Sequence, residues 1–189
     1  MRRTWIAALL FAALVCTAGF VSAAHSQSGQ EEEEKGTNEV RIGLAIAPVP
    51  LNLKDKNVHL VGLGSYIVNA QSACADCHSC PTFASGHNPY LGQSKQFNPA
   101  NYLAGGVPFG PFTSANITPD ANGKPAGLTE AQFKHVLRTG QDPDGSGRLL
   151  RVMPWPEFQS MSDHDIRAIY EYLRAIPAAQ AGGCSGPGQ

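Results

Sequence analysis

Residues 74–78 of the chain read Cys-Ala-Asp-Cys-His, a spacing with a specific chemical use. The thiols of Cys74 and Cys77 can add to the two vinyl groups of a haem, and His78, directly after the second cysteine, can then reach the iron. The order matters because the histidine has to lie under the ring that the thiols hold. The motif predicts one covalently attached haem c with His78 as an iron ligand.

Two other uses of these residues are weighed against haem. A zinc site would use Cys74, Cys77, His78 and Cys80, but zinc sites usually pair two half-motifs at a distance, and the sequence has no second Cys-x-x-Cys. A thioredoxin-like redox pair requires a preceding strand and βα units, which the sequence pattern does not predict. Haem is the favoured interpretation.

A haem iron bound by His78 has a second axial position, for which Met153 is the favoured ligand. Prolines follow it in the segment 151–156, Arg-Val-Met-Pro-Trp-Pro, and hold the backbone extended, which can point the thioether inward. Met161 directly precedes a predicted helix cap and is more simply a core residue. The remaining candidates are histidines at predicted helix or loop positions: His59, His87, His135 and His164. A His/Met pair favours ferrous iron and closes the iron to substrates.

Polar side chains surround Met153. Arg148, Arg151 and Trp155 are candidate partners for the haem propionates, since guanidinium and indole N–H groups donate to carboxylates, and ordinary surface charge is the alternative. Residues 142–147, Asp-Pro-Asp-Gly-Ser-Gly, resemble the start of a calcium loop. Its twelfth position is a methionine instead of an acid, so we interpret the segment as a turn.

The N-terminal 24 residues predict a secretory signal. Arg2 and Arg3 precede an apolar stretch at 5–21, and small residues at 22–24 suit cleavage after Ala24. An uncleaved anchor helix is the alternative. We expect a periplasmic protein, membrane-associated only if this segment is retained.

The 189-residue chain is nearly neutral, with 14 basic and 15 acidic residues. Loss of the signal makes the mature chain more acidic, which disfavours nucleic acid and anionic membranes as partners. Four of the five cysteines remain after cleavage. In an oxidising compartment each needs a covalent use.

The remaining sequence divides into linker, arm, helices and tail. The polar, glutamate-rich segment 25–39 predicts a disordered acidic linker. Pro48 and Pro50 predict an extended arm over 40–57. Helices are predicted over 58–72, over 130–138 with Thr129 and Gly140 as caps, and from Ser162 to Pro177. The region 79–128 is a long loop that a buried prosthetic group would organise, and 178–189 form a C-terminal tail.

The chain resembles the single-haem class I cytochrome c family and, more closely, the cytochrome domains that serve periplasmic dehydrogenases. Five segments carry the resemblance, which covers residues 58–177: Gly-Ser-Tyr-Ile-Val-Asn at 64–69, Tyr-Leu-Ala-Gly-Gly at 102–106, Ser-Ala-Asn-Ile-Thr-Pro-Asp at 114–120, Met-Pro-Trp-Pro-Glu-Phe at 153–158, and 161–173. It implies an all-α domain wrapped around one covalent haem, with long loops and the extended N-terminal arm.

The resemblance also implies roles for particular residues. His78 maps to the proximal ligand and Met153 to the distal one. The helix before the haem should cross the last helix where Gly64 meets Tyr170, and a carbonyl near Pro89 should accept a hydrogen bond from the His78 ring. The same arrangement brings Cys80 and Cys184 together, so we expect a disulfide between them, with two unpaired thiols as the alternative.

The expected function is one-electron transfer, with a periplasmic dehydrogenase upstream and an oxidase or another cytochrome downstream. One alternative is a haem enzyme or gas sensor in which Met153 leaves the iron. Another is an electron-wiring subunit of a larger membrane complex, tethered through residues 30–34 and 40–53.

Overall fold

Helices build the core of the computed structural model, which describes residues 36–184. The helices are α1 at 36–46, α2 at Val58–Tyr66 with a π-helical continuation at Ile67–Gln71, α3 at Cys74–His78, α4 at Glu130–Thr139, α5 at Trp155–Phe158 and α6 at Asp163–Ala175. All contacts that build the site lie within one compact unit, which begins at Glu39. The predicted signal at 1–24, most of the predicted linker and the last five tail residues lie outside the described residues.

The N-terminal arm is partly helical, which corrects the sequence prediction. Residues 36–39, assigned to the disordered linker, and 40–46, assigned to the extended arm, all lie in α1. Pro48 and Pro50 follow the helix end, and a proline restricts its own residue and the one before it, not the preceding turns. Residues 47–57 are not helical, and the Asn52 N–H donates to the carbonyl of Ala175 at the end of α6.

Local capping signals place α4 and α6 where the sequence predicts them. Thr129 and Gln132 form a capping box at the start of α4, and Gly140 ends it in the left-handed conformation. Ser162 caps α6 by accepting the N–H of Asp165. The predicted helix over 58–72 is also confirmed, although its last turn is π-helical.

Two glycines let α2 contact helices on both sides. A Cβ on Gly62 would overlap Val40 of α1, and a Cβ on Gly64 would overlap the backbone of Ala168 and lie 2.8 Å from the Tyr172 Cβ. The crossing with α6 therefore centres on Ala168 and Tyr172, not on Tyr170 as the resemblance implied.

Tyr170 lies toward α4 instead. Its hydroxyl donates to the Leu128 carbonyl at 2.9 Å, and its ring packs on Phe133. Residues 168 and 172 are one helical turn apart, whereas 170 lies on another side of α6. The core between α2 and α6 includes Val61, Val68 and Leu173, each almost inaccessible to solvent.

The region 79–128 is a long irregular segment with two small ordered elements. A 3₁₀ turn spans Pro89–Leu91, and β1 at Pro108–Phe109 pairs antiparallel with β2 at Phe112–Thr113. The sequence predicts the long segment but not this hairpin. The fold is mostly helical with one small two-stranded sheet, which is compatible with a cytochrome c-like helical domain.

Among residues 36–184, no helix combines the length and the apolar character needed to cross a membrane.

Candidate functional site

The helical turn α3 gathers the motif residues on one face. Cys74, Cys77 and His78 stand at positions i, i+3 and i+4, the spacing at which helical side chains are neighbours. Ala73, directly before the turn, adopts a left-handed backbone with φ 48° and separates α3 from the preceding π-helix. The local backbone thus presents two thiols and one imidazole to the same side.

The His78 ring is held by a backbone carbonyl. Its Nδ1 lies 2.8 Å from the oxygen of Ala115. A carbonyl only accepts, so Nδ1 carries the proton and Nε2 keeps its lone pair for a metal. Burial lowers the pKa of His78, which also favours the neutral imidazole that binds metals.

The acceptor is Ala115 and not a carbonyl near Pro89, as the resemblance implied. Pro89 instead opens the 3₁₀ turn whose Tyr90 hydroxyl donates to the Asp76 carboxylate at 3.2 Å. Ala115 follows the hairpin, which ends at Thr113. A backbone acceptor has no side-chain signature, so no sequence signal could have named it.

The main chain next to His78 is fixed as firmly as its ring. The Gly105 N–H donates to the His78 carbonyl at 2.7 Å, and the Leu103 N–H donates to the buried Ser79 hydroxyl at 2.9 Å. Ring and backbone of His78 are thus both anchored to the segment 103–115. The imidazole orientation is set before any metal binds.

The two motif thiols do not have the electrostatics of a redox pair. Burial raises the pKa of Cys74 to about 12, and burial together with the Asp76 charge raises the pKa of Cys77. Reactive and disulfide-exchanging cysteines have lowered pKa values. These pKa directions disfavour the thioredoxin-like interpretation.

The zinc interpretation requires Cys80 as a fourth ligand. Cys80 is bonded to Cys184 in a disulfide, with the Cα atoms 5.3 Å apart, so its sulfur is not a free thiolate. Cys74 and Cys77 remain free thiols. Within residues 36–184 no group of three or more His, Cys, Asp or Glu side chains is arranged to hold a metal ion. Two free thiols and one oriented imidazole on a single helical turn fit the attachment of haem.

A buried hydroxyl cluster, which the sequence did not single out, lies behind the motif. The Tyr102 hydroxyl donates to the Asn69 side-chain oxygen at 2.6 Å and lies 2.9 Å from the Tyr172 hydroxyl. Asn69 Nδ2 donates to the Tyr172 hydroxyl. Burial raises the pKa of both tyrosines, and the nearby Cys74 adds to the effect. We call Asn69, Tyr102 and Tyr172 the tyrosine cluster.

The candidate distal methionines have similar surroundings. Met153 lies in irregular structure directly before α5, and Met161 lies directly before α6. Both are half-buried and pack on the hydrophobic core. Met153 therefore stays a prediction as the distal ligand.

The side chains proposed for the propionates differ in their surroundings. Arg148 pairs with Asp142, and Arg151 is exposed. The half-buried indole of Trp155 packs directly on Gly140. Roles for Arg151 and Trp155 toward a haem stay predictions.

The segment 142–147 forms local turns. Asp142 and Asp144 accept the backbone N–H groups of residues two positions later, Asp144 and Ser146. This arrangement agrees with the interpretation of the segment as a turn.

The histidines considered as alternative ligands have other surroundings. His59, His135 and His164 are exposed on α2, α4 and α6. His135 contacts Gln141, and His87 Nδ1 lies 2.9 Å from the Ser94 hydroxyl in the long irregular segment.

The sequence is similar to those of known proteins over much of its length. The chain is 33% identical over 133 residues to a protein of Gluconobacter oxydans named alcohol dehydrogenase (quinone), cytochrome c subunit. The matched region covers 70% of this chain and 25% of that protein. It is 32% identical over 127 residues to the gluconate 2-dehydrogenase cytochrome c subunit of Pantoea cypripedii, covering 66% of this chain and 25% of that protein.

A third similarity is weaker. The chain is 28% identical over 138 residues to a nicotinate dehydrogenase subunit of Pseudomonas putida, covering 70% of this chain and 11% of that protein. The chain thus spans about a quarter or less of the length of these curated relatives.

No family model matches the chain. No solved structure matches it either. The chain therefore belongs to the same cytochrome c family as these two subunits, and this supports a role in electron transfer.

Proposed function

We propose that the chain is an exported single-haem c-type cytochrome that carries one electron at a time between a dehydrogenase and a respiratory acceptor. One observation carries the proposal: a single helical turn presents the Cys74 and Cys77 thiols beside an imidazole whose Nδ1 is already bonded to Ala115. The names of the relatives, cytochrome c subunits of dehydrogenases, support the same proposal.

Three residues would hold the haem. Cys74 and Cys77 would each form a thioether with one vinyl group, and His78 would bind the iron through Nε2. When bound, the haem supplies an iron that gains or loses one electron. The bond from Nδ1 to Ala115 raises the basicity of the imidazole and fixes its tautomer.

Met153 is the proposed distal ligand, because Pro154 and Pro156 restrict the backbone beside it. With His78 and Met153 both bound, the ligand set would stay the same in both oxidation states, which suits a carrier better than an enzyme. Arg151 and Trp155 are the proposed donors to the propionates.

The proposed partners are redox proteins. A dehydrogenase would deliver the electron, and an oxidase or another cytochrome would accept it, each through a weak and transient contact. The predicted signal at 1–24 supports a periplasmic location, with membrane attachment only if that segment is retained.

A second candidate function follows from the names of the relatives. Both are subunits of dehydrogenases, which favours an electron-wiring subunit of a larger complex. Size-exclusion chromatography of the native extract separates the two: a wiring subunit elutes with its dehydrogenase, and a free carrier elutes at the size of the single chain.

The absorption spectrum of the reduced protein tests the proposal and its ligands. Wild type should show a covalent haem that is low-spin and binds no carbon monoxide. Met153→Ala should open the iron, so the spectrum becomes high-spin and carbon monoxide binds rapidly, while Met161→Ala should resemble wild type.

The reverse result for the two methionines would reassign the distal ligand to Met161. Rapid binding of carbon monoxide to wild type would favour the enzyme or gas-sensor alternative instead.

A further inference from the structure

The described part of the C-terminal tail runs back toward the motif instead of away from the domain. Residues 177–184 follow α6 without regular structure, and the Gly182 N–H donates to the Ala104 carbonyl at 2.7 Å. Gly106 has no room for a Cβ because the backbone of Gly182 lies against it. The tail also contains Cys184, whose disulfide partner Cys80 stands two residues after His78.

A closed set of hydrogen bonds ties the tail to the residue next to the imidazole acceptor. Asn116 Nδ2 donates to the Ala179 carbonyl at 2.9 Å, and the Ala179 N–H donates to the Thr118 hydroxyl at 3.1 Å. The Thr118 hydroxyl and N–H in turn donate to Asn116 Oδ1 at 2.7 and 2.9 Å. Both polar atoms of the Asn116 amide are therefore used, and Thr118 is buried.

Two groups of contacts hold the Ala115 carbonyl in place. On one side the backbone that flanks the hairpin fixes it, because Gly106 N–H donates to the Ser114 carbonyl and Ile117 N–H donates to the Leu103 carbonyl. On the other side Asn116 fixes it to the tail. The tail itself is fixed at 179 and 182 by hydrogen bonds and at 184 by the disulfide.

We propose that residues 179–184, which we call the strap, hold the Ala115 carbonyl against the His78 ring, with Asn116 as the positioning residue that connects the strap to that carbonyl. This inference rests on the proposed function, since it concerns the proximal imidazole of a bound haem. It makes the Cys80–Cys184 disulfide part of the ligand geometry: opening it releases the strap and weakens the bond between His78 and Ala115.

The direction of the effect follows from that bond. A hydrogen bond from Nδ1 to a carbonyl makes the imidazole a stronger electron-pair donor to the iron and stabilises ferric iron. A weakened bond favours ferrous iron, so the reduction potential should rise. Loss of an outer-shell contact typically costs about 10–100-fold in metal affinity or activity. We expect a change in the redox equilibrium at the low end of that range, about tenfold, which is about 59 mV for a one-electron couple.

The test uses the full-length holoprotein and two readouts, the reduction potential and the exchange of the His78 Nδ1 proton followed by NMR in the reduced state. Asn116→Ala should raise the potential and speed the exchange, at unchanged haem content. Asn122→Ala is the matched control, because the Asn122 amide contacts the side chain of Asp120 in the same loop region.

A second measurement opens the strap without changing Asn116. The disulfide of folded wild type is reduced and capped by alkylation, and the double variant Cys80→Ser/Cys184→Ser gives the same state genetically. Either should shift the potential and the exchange in the same direction as Asn116→Ala.

The outcomes separate the strap from the proposed function. Haem-loaded Asn116→Ala with wild-type potential and exchange overturns the role of Asn116. A shift in Asn116→Ala that neither opened-disulfide form reproduces overturns the role of the strap. A wild-type protein that carries no haem contradicts the proposed function itself.

Discussion

The two sides of the candidate haem site are held in very different ways. On the proximal side, contacts from distant parts of the chain converge on His78: Ala115 on its ring, Gly105 on its carbonyl, and a disulfide near its end of the motif.

On the distal side, the segment 141–153 is held by local turns, such as the hydrogen bond from Asp142 N–H to the Arg148 carbonyl. Leu149 and Val152 beside Met153 are largely exposed, at 51% and 42%.

This difference indicates which ligand the fold orients in advance. The imidazole has its tautomer and direction fixed by the Ala115 carbonyl, and its main chain is held by Gly105, which is buried. The segment that carries Met153, the proposed distal ligand, has fewer long-range constraints, so with haem bound its geometry would depend on the proposed bond between sulfur and iron. The proximal side should therefore respond to substitutions in the scaffold, and the distal side to loss of the ligand alone.

The largest effect expected on the proximal side comes from the motif thiols. Cys74→Ala/Cys77→Ala removes both thioether links, so the exported protein should lose all covalent haem. Denaturing gel electrophoresis with haem staining measures this. Cys80→Ser/Cys184→Ser is the control and should keep its stain, because those sulfurs are bonded to each other.

The next effect concerns the helix crossing behind the motif. Gly64→Ala would place a Cβ against the Ala168 backbone and should lower the free energy of unfolding by about 1–3 kcal/mol. Gly36→Ala, where a Cβ meets nothing within 4 Å, is the matched helical control and should be neutral or slightly stabilising. Chemical denaturation measures the free energy of unfolding of both variants. An equal change in the two would contradict a tight crossing of α2 and α6.

The tyrosine cluster gives the proximal side a pH dependence. Burial raises the pKa of Tyr102 and Tyr172 in the folded protein, whereas tyrosine in an unfolded chain titrates near pH 10. Below that pH both forms are protonated and stability does not change. Above it the unfolded chain releases protons first, so each buried tyrosine lowers the free energy of unfolding as the pH rises, with a limiting slope of about 1.36 kcal/mol per pH unit.

The phenylalanine variants test this slope. Tyr102→Phe/Tyr172→Phe should unfold with a flatter dependence on pH between about 10 and 11, although it is less stable at neutral pH because Asn69 loses partners. Tyr66→Phe, outside the cluster, should keep the wild-type slope. Identical slopes in all three proteins would mean that the cluster ionises as freely as an unfolded chain.

The smallest effect is expected on the distal side. Arg148→Ala removes an ion pair with Asp142 whose arginine side chain is 55% exposed, and such pairs contribute about 0–1 kcal/mol. Thermal unfolding should therefore change little. A loss of stability comparable with that of Gly64→Ala would show that the distal segment is held as firmly as the proximal side and would contradict the difference between them.

Sequence patterns located the elements whose signals are local. The caps Thr129, Gly140 and Ser162 fixed α4 and α6 because a side chain or a left-handed glycine bonds to its own helix end. The sequence does not predict α1, because Pro48 and Pro50 restrict their own residues and the ones before them and carry no information on the helical turns further upstream. The hairpin at 108–113 has too few residues for a recognisable alternation.

The site was predictable only where side chains carry the information. The thiols and the imidazole are visible in the motif at 74–78, and the cysteines left over indicated the pair that the structure joins. The Ala115 acceptor, the crossing at Ala168 and the tyrosine cluster depend on which backbone or buried surfaces meet. These meetings are a property of the folded chain. For this reason the predicted acceptor near Pro89 and the predicted contact of Gly64 with Tyr170 are wrong.

Mass spectrometry of peptides from the unreduced, exported protein tests the central claim most directly. The account predicts a haem on the peptide that contains Cys74 and Cys77, together with a Cys80–Cys184 crosslink in the same digest. A bare peptide over 74–78, or one in which Cys74 and Cys77 are bonded to each other, would contradict it.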